Sequence, residues 1–166
     1  MTAAPDDLLI RPIRLEDAPA LWVIARQQGV IETTLALPSL RLEQREKSLQ
    51  HLDENDHYMV AEKAGQVVGI AGLTVGTGRR RHSADVFLYV AVEHQGQGIG
   101  TRLLQFLLDL ADRWLLLHRV ELTVLVENER ARRLYERLGF VVEGQCKMSI
   151  ISQGGMKDEW LMARYR

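Results

Sequence analysis

The chain has 166 residues, 46% of them apolar, which suits one domain with a full hydrophobic core, expected to run from residue 1 to 166, and excludes a disordered chain. Twenty-one basic residues against 22 acidic give a formal net charge of −1, without the basic excess of a nucleic-acid binder. No stretch of ~20 apolar residues or secretory leader stands out, and the single Cys146 cannot form an internal disulfide, so a cytoplasmic protein is expected.

In chain order, residues 8–13 read as a first strand, and Asp17 stands at the N-cap of a helix with Pro19 in its first turn. A loop through Glu32, Thr33 and Thr34 leads to a second helix over 40–49. Residues 58–62 and 67–75 read as a hairpin about Ala64-Gly65-Gln66. Arg79-Arg80-Arg81 is a loop tip, read as solvated, before a strand over 85–92. A glycine-rich turn and an amphipathic helix with Leu103, Leu104, Leu107 and Leu108 follow. Residues 120–126 alternate as a half-buried strand, and a helix then opens at Asn128. A last hairpin joins 142–151 to 159–165 about Gln153-Gly154-Gly155. Hairpins on either side of a strand–helix–strand–helix centre imply an α/β fold with a mixed sheet. The histidines at 51, 57, 94 and 118 share no metal-ligand spacing with one another or with Cys146, so no metal is expected.

The turn Gln95-Gly96-Gln97-Gly98-Ile99-Gly100-Thr101 carries the most information. Glycines admit close backbone approach, and the amides opening a helix have no intrahelical partners. With the positive end of the helix dipole they form an anion site. A P-loop would end in Gly-Lys-Ser/Thr, but Thr101 and Arg102 follow Gly100. Counted from Gly96, a Rossmann turn would need a sixth-position glycine where Thr101 stands. Glu121, about 20 residues on, falls at the start of the next strand rather than at its end. What remains is Gln-x-x-Gly-x-Gly, which by itself also fits a plain glycine-rich turn. The second segment has Asn128 as N-cap, Ala131, Leu134, Tyr135 and Leu138 on one helical face, and Gly139 at C′.

These two segments, in this order, resemble the signature of the GNAT N-acetyltransferases. Further pieces resemble the YhhY-like branch, small bacterial N-acetyltransferases of amino acids and related amines: Thr34-Leu35 with Pro38, Arg80 with His82, Ala84-Asp85, Trp114-Leu115, Arg119 with Glu121 to Val124, Glu143-Gly144 and Met162-Ala163-Arg164. The approach to the loop, Ala91-Val92-Glu93-His94, lacks the proline common in this family, which leaves the exit of the strand open. The resemblance implies a twisted mixed sheet of about seven strands with about four helices, its central strands splayed around a pantetheine arm. It also implies acetyl-CoA as co-substrate, a small-molecule amine as acceptor and a homodimer.

Site roles follow from the resemblance. Gly96 to Thr101 would hold the diphosphate, with Gln95 supporting the turn. Backbone groups of Val90, Ala91 and Val92 would pair with the pantetheine amides, one N–H polarising the acetyl carbonyl. Asn128 would bond the cofactor arm as well as cap its helix. Tyr135, which spacing alone reads as packing beside Leu134 and Leu138, becomes the general acid toward the departing thiolate. Base candidates are Asp85, His82 and Glu93, each of which also reads as an ordinary surface residue. Glu32, Thr33, Thr34, Met148, Asp158 and Trp160 would meet the substrate, with Glu32 or Asp158 pairing its ammonium; Trp160 also reads as core.

No Ser/His/Asp or Cys/His set offers a nucleophile, so direct transfer is expected; the resemblance implies a free amino acid such as methionine or phenylalanine as the acceptor. Acetylation of protein N-termini, of an amine antibiotic, or a non-catalytic acyl-CoA sensor are the alternatives.

Overall fold

A computed structural model describes residues 7–166. The strands are β1 (Leu8–Pro12), β2 (Asp56–Lys63), β3 (Gln66–Val75), β4 (Ser83–Val90), β5 (Arg119–Leu125), β6 (Val141–Ser152) and β7 (Gly155–Tyr165). The helices are α1 (Ala18–Ala25), α2 (Gln28–Ile31), α3 (Leu42–Gln50), α4 (Ile99–Arg113) and α5 (Glu129–Arg137). The seven strands form one sheet in the order β1-β2-β3-β4-β5-β7-β6. It is mixed: β4 and β5 are parallel, whereas β1/β2, β5/β7 and β6/β7 are antiparallel. The parallel ladder joins Ser83–Asp85 to Arg119–Glu121 and goes no further, although β4 continues to Val90 and β5 to Leu125. Strands that part after three pairs are what the expected splay requires.

Among the described residues the helices number five, in line with the about four expected. The extra one, α2, is a single turn of four residues, too short to show a periodic apolar face. Both hairpin turns are tighter than the sequence suggested. Ala64 and Gly65, like Gln153 and Gly154, take positive φ, so each is a two-residue turn whose twist matches the flanking strands. Gln66 and Gly155 accordingly begin strands.

Two compact units can be distinguished: the described residues up to Leu73 with Leu88–Leu107, and Thr74–Phe87 with Leu108–Arg166. The chain passes between them inside β3, β4 and α4, not through linkers.

In the first unit, Ala18 and Leu21 of α1 pack with Leu49 of α3 against Val60 and Ile70 of the sheet. Ile24, Val30 and Ala91 form a smaller cluster beside Val67 and Tyr89. Asp17 occupies the N-cap of α1 as expected, but its side chain makes no cap bond there. The buried carboxylate instead takes a two-point bond from Arg11 (2.8 and 2.9 Å) and the Arg14 N–H at 2.7 Å. Burial opposes its charge, and these donors more than offset that, so its pKa lies below the ordinary carboxylate range.

Helix α4 buries Ile99, Leu103, Leu104, Leu107, Leu108 and Ala111, the face that a 3.6-residue period predicts. Each fully buried leucine contributes about 2 kcal/mol. In the second unit, β5 buries Val120, Leu122 and Val124 in alternation. Arg164 of β7 makes a two-point bond to Asp112 at 2.7 and 2.9 Å, tying the end of α4 to the sheet.

Candidate active site

The glycine turn lies in the first unit and has the conformation an anion cradle needs. Gly96 and Gly98 have φ of +77° and +78°, a region L side chains rarely adopt. A Cβ at Gly98 would meet nothing within 4 Å, so the outer face of the turn is open. The first bond closing α4 runs from the Arg102 N–H to the Gly98 carbonyl at 3.0 Å, and the amides of Ile99, Gly100 and Thr101 precede it. The turn fits a diphosphate on shape and on donor chemistry.

Tertiary contacts brace the approach to this turn and fix the strand exit left open by the missing proline. Residues Val92–His94 wind into a 3-10 turn. Gln27, just before α2, accepts the Val92 N–H (2.8 Å) and donates to Glu93 (3.1 Å). Gly29 of α2 is close enough that a Cβ would lie 3.1 Å from Val92 Cγ2. On β3, a Cβ at Gly69 would lie 3.1 Å from the Tyr89 carbonyl oxygen. Gln95 supports the turn as expected, donating to the Val90 carbonyl at 3.0 Å. The expected pantetheine contacts narrow, however. The Ala91 N–H is bonded to Val68 O at 2.8 Å and that of Val92 is held by Gln27, which leaves the N–H of Val90, on the strand edge opposite β3.

Sequence reasoning missed Gln27, and it missed Lys63 at the end of β2, whose ammonium donates to Gln97 Oε1 at 2.8 Å. Partners 65 and 34 residues apart leave no local pattern to find them by. Also in this unit, Glu32 follows α2 as its C-cap. Thr33 closes the same helix through its hydroxyl, which donates to Val30 O at 3.0 Å. Thr34 Oγ sits 3.5 Å from the Ala36 N–H.

The second unit holds the remaining predicted residues apart from Glu93. Asn128 caps α5 as its pattern indicated, Oδ1 accepting the Ala131 N–H at 3.2 Å. Its amide NH2 can therefore serve a ligand while the cap is kept. Asn128→Ala should cost about 1 kcal/mol of stability and lower Tm by a few degrees; Asn128→Asp, which can also cap, should recover that loss when melting curves are compared.

Tyr135 is buried, its ring edge-on to Phe140 with centroids 5.8 Å apart. Desolvation pushes the phenol up to about 12, so it keeps its proton throughout the neutral range.

Asp85 lies opposite Glu121 in the parallel ladder. Partial desolvation, then the Glu121 charge, raise its pKa against the opposing pull of Arg80 and Arg119. His82 is exposed, and its carbonyl accepts the His118 N–H at 2.9 Å. Glu93 lies in the first unit, on Gln27.

Of the expected substrate residues, Asp158 is committed to structure. It accepts from Gln145 and from the Met148 N–H, each at 2.8 Å, and pairs with Lys147 at 3.3 Å. The Met148 N–H does most to lower its pKa. These bonds hold the irregularity of β6 between Cys146 and Ile150, where Met148 takes a φ of +49°. A substrate ammonium would have to share this carboxylate with Lys147. Met148 is exposed. Trp160 is half-buried beneath the Arg132 guanidinium, and its buried indole N–H has no hydrogen-bond partner. Among the described residues no group of three or more His, Cys, Asp or Glu side chains is arranged to hold a metal ion.

Comparison with known proteins bears on the chemistry. Residues 28–140 match the acetyltransferase (GNAT) family. The chain is 30% identical over 161 residues to the L-amino acid N-acetyltransferase AaaT of Escherichia coli (strain K12), covering 96% of this chain and 99% of that protein. It is 32% identical over 111 residues to a spermidine N(1)-acetyltransferase of Vibrio cholerae, covering 66% of this chain and 64% of the other. The solved structure of spermidine N-acetyltransferase from Vibrio cholerae in complex with CoA and spermine superposes with a TM-score of 0.84 at 26% identity, over 96% of this chain and 95% of that one. With the motifs in place on this fold, the chain belongs to the GNAT family of acetyltransferases and is an acyltransferase that uses acetyl-CoA.

Proposed function

We propose that the acceptor is the primary amine of a free amino acid with an apolar side chain, methionine or phenylalanine, and that acetyl passes to it directly. The observation that carries this reading is the likeness to an L-amino acid N-acetyltransferase along nearly the whole of both chains. The spermidine acetyltransferase relative matches over about two thirds. Chemistry favours the same choice: exposed Met148 and half-buried Trp160 suit an apolar side chain, whereas a polyamine needs uncompensated carboxylates and Asp158 is already paired with Lys147.

Acetyl-CoA contributes an activated thioester. In this reading the amides of Gly96 to Thr101 hold the diphosphate, the Val90 N–H polarises the acetyl carbonyl, and Asn128 Nδ2 bonds the cofactor arm. The amine loses its proton toward Asp85 or His82 through water; the raised pKa of Asp85 acts in the direction a base requires. Tyr135 donates to the sulfur as the carbon–sulfur bond breaks. A thiol has a pKa of ~8.5, so complete transfer from a phenol near 12 is uphill by roughly 5 kcal/mol. The contribution of Tyr135 is therefore a strong hydrogen bond to the developing thiolate, and the second proton, released from nitrogen as the amide forms, completes the thiol. One domain, a homodimer and a cytoplasmic location complete the proposal. The single cysteine suits the last, and the family resemblance supports the dimer.

The test is a screen of free amino acids, dipeptides and spermidine with acetyl-CoA, following thiol release. Burying a phenylalanine side chain is worth ~2 kcal/mol, so kcat/KM for phenylalanine or methionine should exceed that for glycine about 30-fold. Equal rates across the amino acids, or faster turnover of dipeptides or spermidine, would remove the amino-acid reading. Binding of acetyl-CoA without thiol release to any amine would leave a sensor.

A further inference from the structure

From Gln95 to Thr101 no side chain carries a charge, yet the diphosphate and 3′-phosphate of acetyl-CoA are strongly anionic. Backbone amides and the helix dipole amount to partial charges only. The fold brings a full positive charge to this turn from the end of β2. The half-buried Lys63 side chain reaches Gln97, between the two positive-φ glycines, and its ammonium donates to Gln97 Oε1 at 2.8 Å. Gln97 is itself turned back, donating to the Glu93 carbonyl at 3.2 Å. Among the described residues, no carboxylate pairs with Lys63. Its neighbour Glu62 is directed to Arg11 at 2.7 Å. An ammonium has three donors, and here one is spent on a neutral amide. Its charge is thus uncompensated by the described protein and held at the rim of the cradle.

We propose that Lys63 is a cofactor-binding residue, its ammonium supplying to the phosphates of acetyl-CoA the charge that the glycine turn lacks. This rests on the assignment of the turn to acetyl-CoA. It follows that affinity for the cofactor is more salt-dependent than a backbone-only cradle would give.

The test is calorimetric titration of the full chain and of its Lys63→Met and Lys63→Arg variants with acetyl-CoA and with its 3′-dephospho analogue, at low and high salt. Methionine keeps the apolar stem. Lys63→Met should weaken acetyl-CoA binding about 10-fold, as for one partly exposed charge-assisted contact, and flatten the salt dependence. Lys63→Arg should stay within about 3-fold. Equal losses with both ligands place the ammonium on the diphosphate, and a loss confined to acetyl-CoA places it on the 3′-phosphate; either supports the proposal. Unchanged affinity of Lys63→Met at low salt overturns the proposal. So does a loss in Lys63→Arg equal to that in Lys63→Met, because the charge would then not be what binds. A wild-type chain that binds no acetyl-CoA would remove the cofactor assignment itself.

Discussion

Tyr135→Phe should lower kcat about 10- to 1,000-fold while leaving acetyl-CoA affinity and Tm near wild type. The substitution keeps the ring and its edge-on contact with Phe140 and removes only the donor. The pH dependence makes the assignment sharper. Because burial raises the phenol from 10.0 to about 12, the protonated donor persists up to about pH 10 and is lost only as pH rises toward 12. Wild-type kcat/KM should therefore climb as the acceptor's α-amine deprotonates, with no alkaline limb from the phenol below about pH 10. Tyr135→Phe should show the same shape at a lower level.

Stability follows the same sign. The buried neutral phenol favours the folded state fully below the unfolded pKa near 10, and that contribution disappears between about pH 10 and 12. Melting of the wild type should fall more steeply over that interval than melting of Tyr135→Phe. An unchanged kcat would return Tyr135 to packing. An alkaline limb in the wild type with a pKa below 10, absent from the variant, would show that the phenol titrates in the active enzyme at lower pH than burial dictates.

Gly98→Asp should abolish acetyl-CoA binding, with a loss beyond about 100-fold, while the chain still folds. Two effects act together. A carboxylate on the open face of the turn repels phosphate where the helix dipole should attract it, and a side chain at a φ of +78° strains the turn by about 1–2 kcal/mol. Gly98→Ala separates them: it carries the strain without the charge, so it should lose only part of the affinity and lower Tm by the same few degrees. Calorimetry and melting curves on both variants decide the matter, and wild-type affinity in Gly98→Asp would show that the diphosphate lies elsewhere.

The chemistry-bearing segments were legible because their signals are local. A helix N-cap, a C′ glycine, apolar residues at a 3.6-residue period and glycines at fixed offsets report the conformation of a few neighbouring residues. Thus Asn128, Gly139, the buried face of α4 and the turn at Gly96–Gly100 are where the sequence placed them. The alternation of β5 likewise needs only nearest neighbours. Helix α2 escaped because one turn carries no period. The resemblance to the GNAT family joined these local pieces into a fold that spacing alone left open.

Tertiary structure decided which polar groups are available. Asp17 stands at the N-cap position read from sequence, but its carboxylate is a buried partner of Arg11 rather than a cap. Asp158 reads as a carboxylate for substrate, and the fold also gives it the irregularity in β6 to brace. The N–H groups of Ala91 and Val92 look equivalent to that of Val90 until Val68 and Gln27 claim them. The proton affinity of Tyr135 depends on burial, and the ammonium that meets Gln97 in the glycine turn comes from Lys63, 34 residues away. Backbone conformation is set by the residue and its near neighbours, so sequence determined the elements and the cradle. Hydrogen-bond commitment, desolvation and charge depend on groups that meet only once the sheet has assembled, so the fold alone determined which of those residues are free to act.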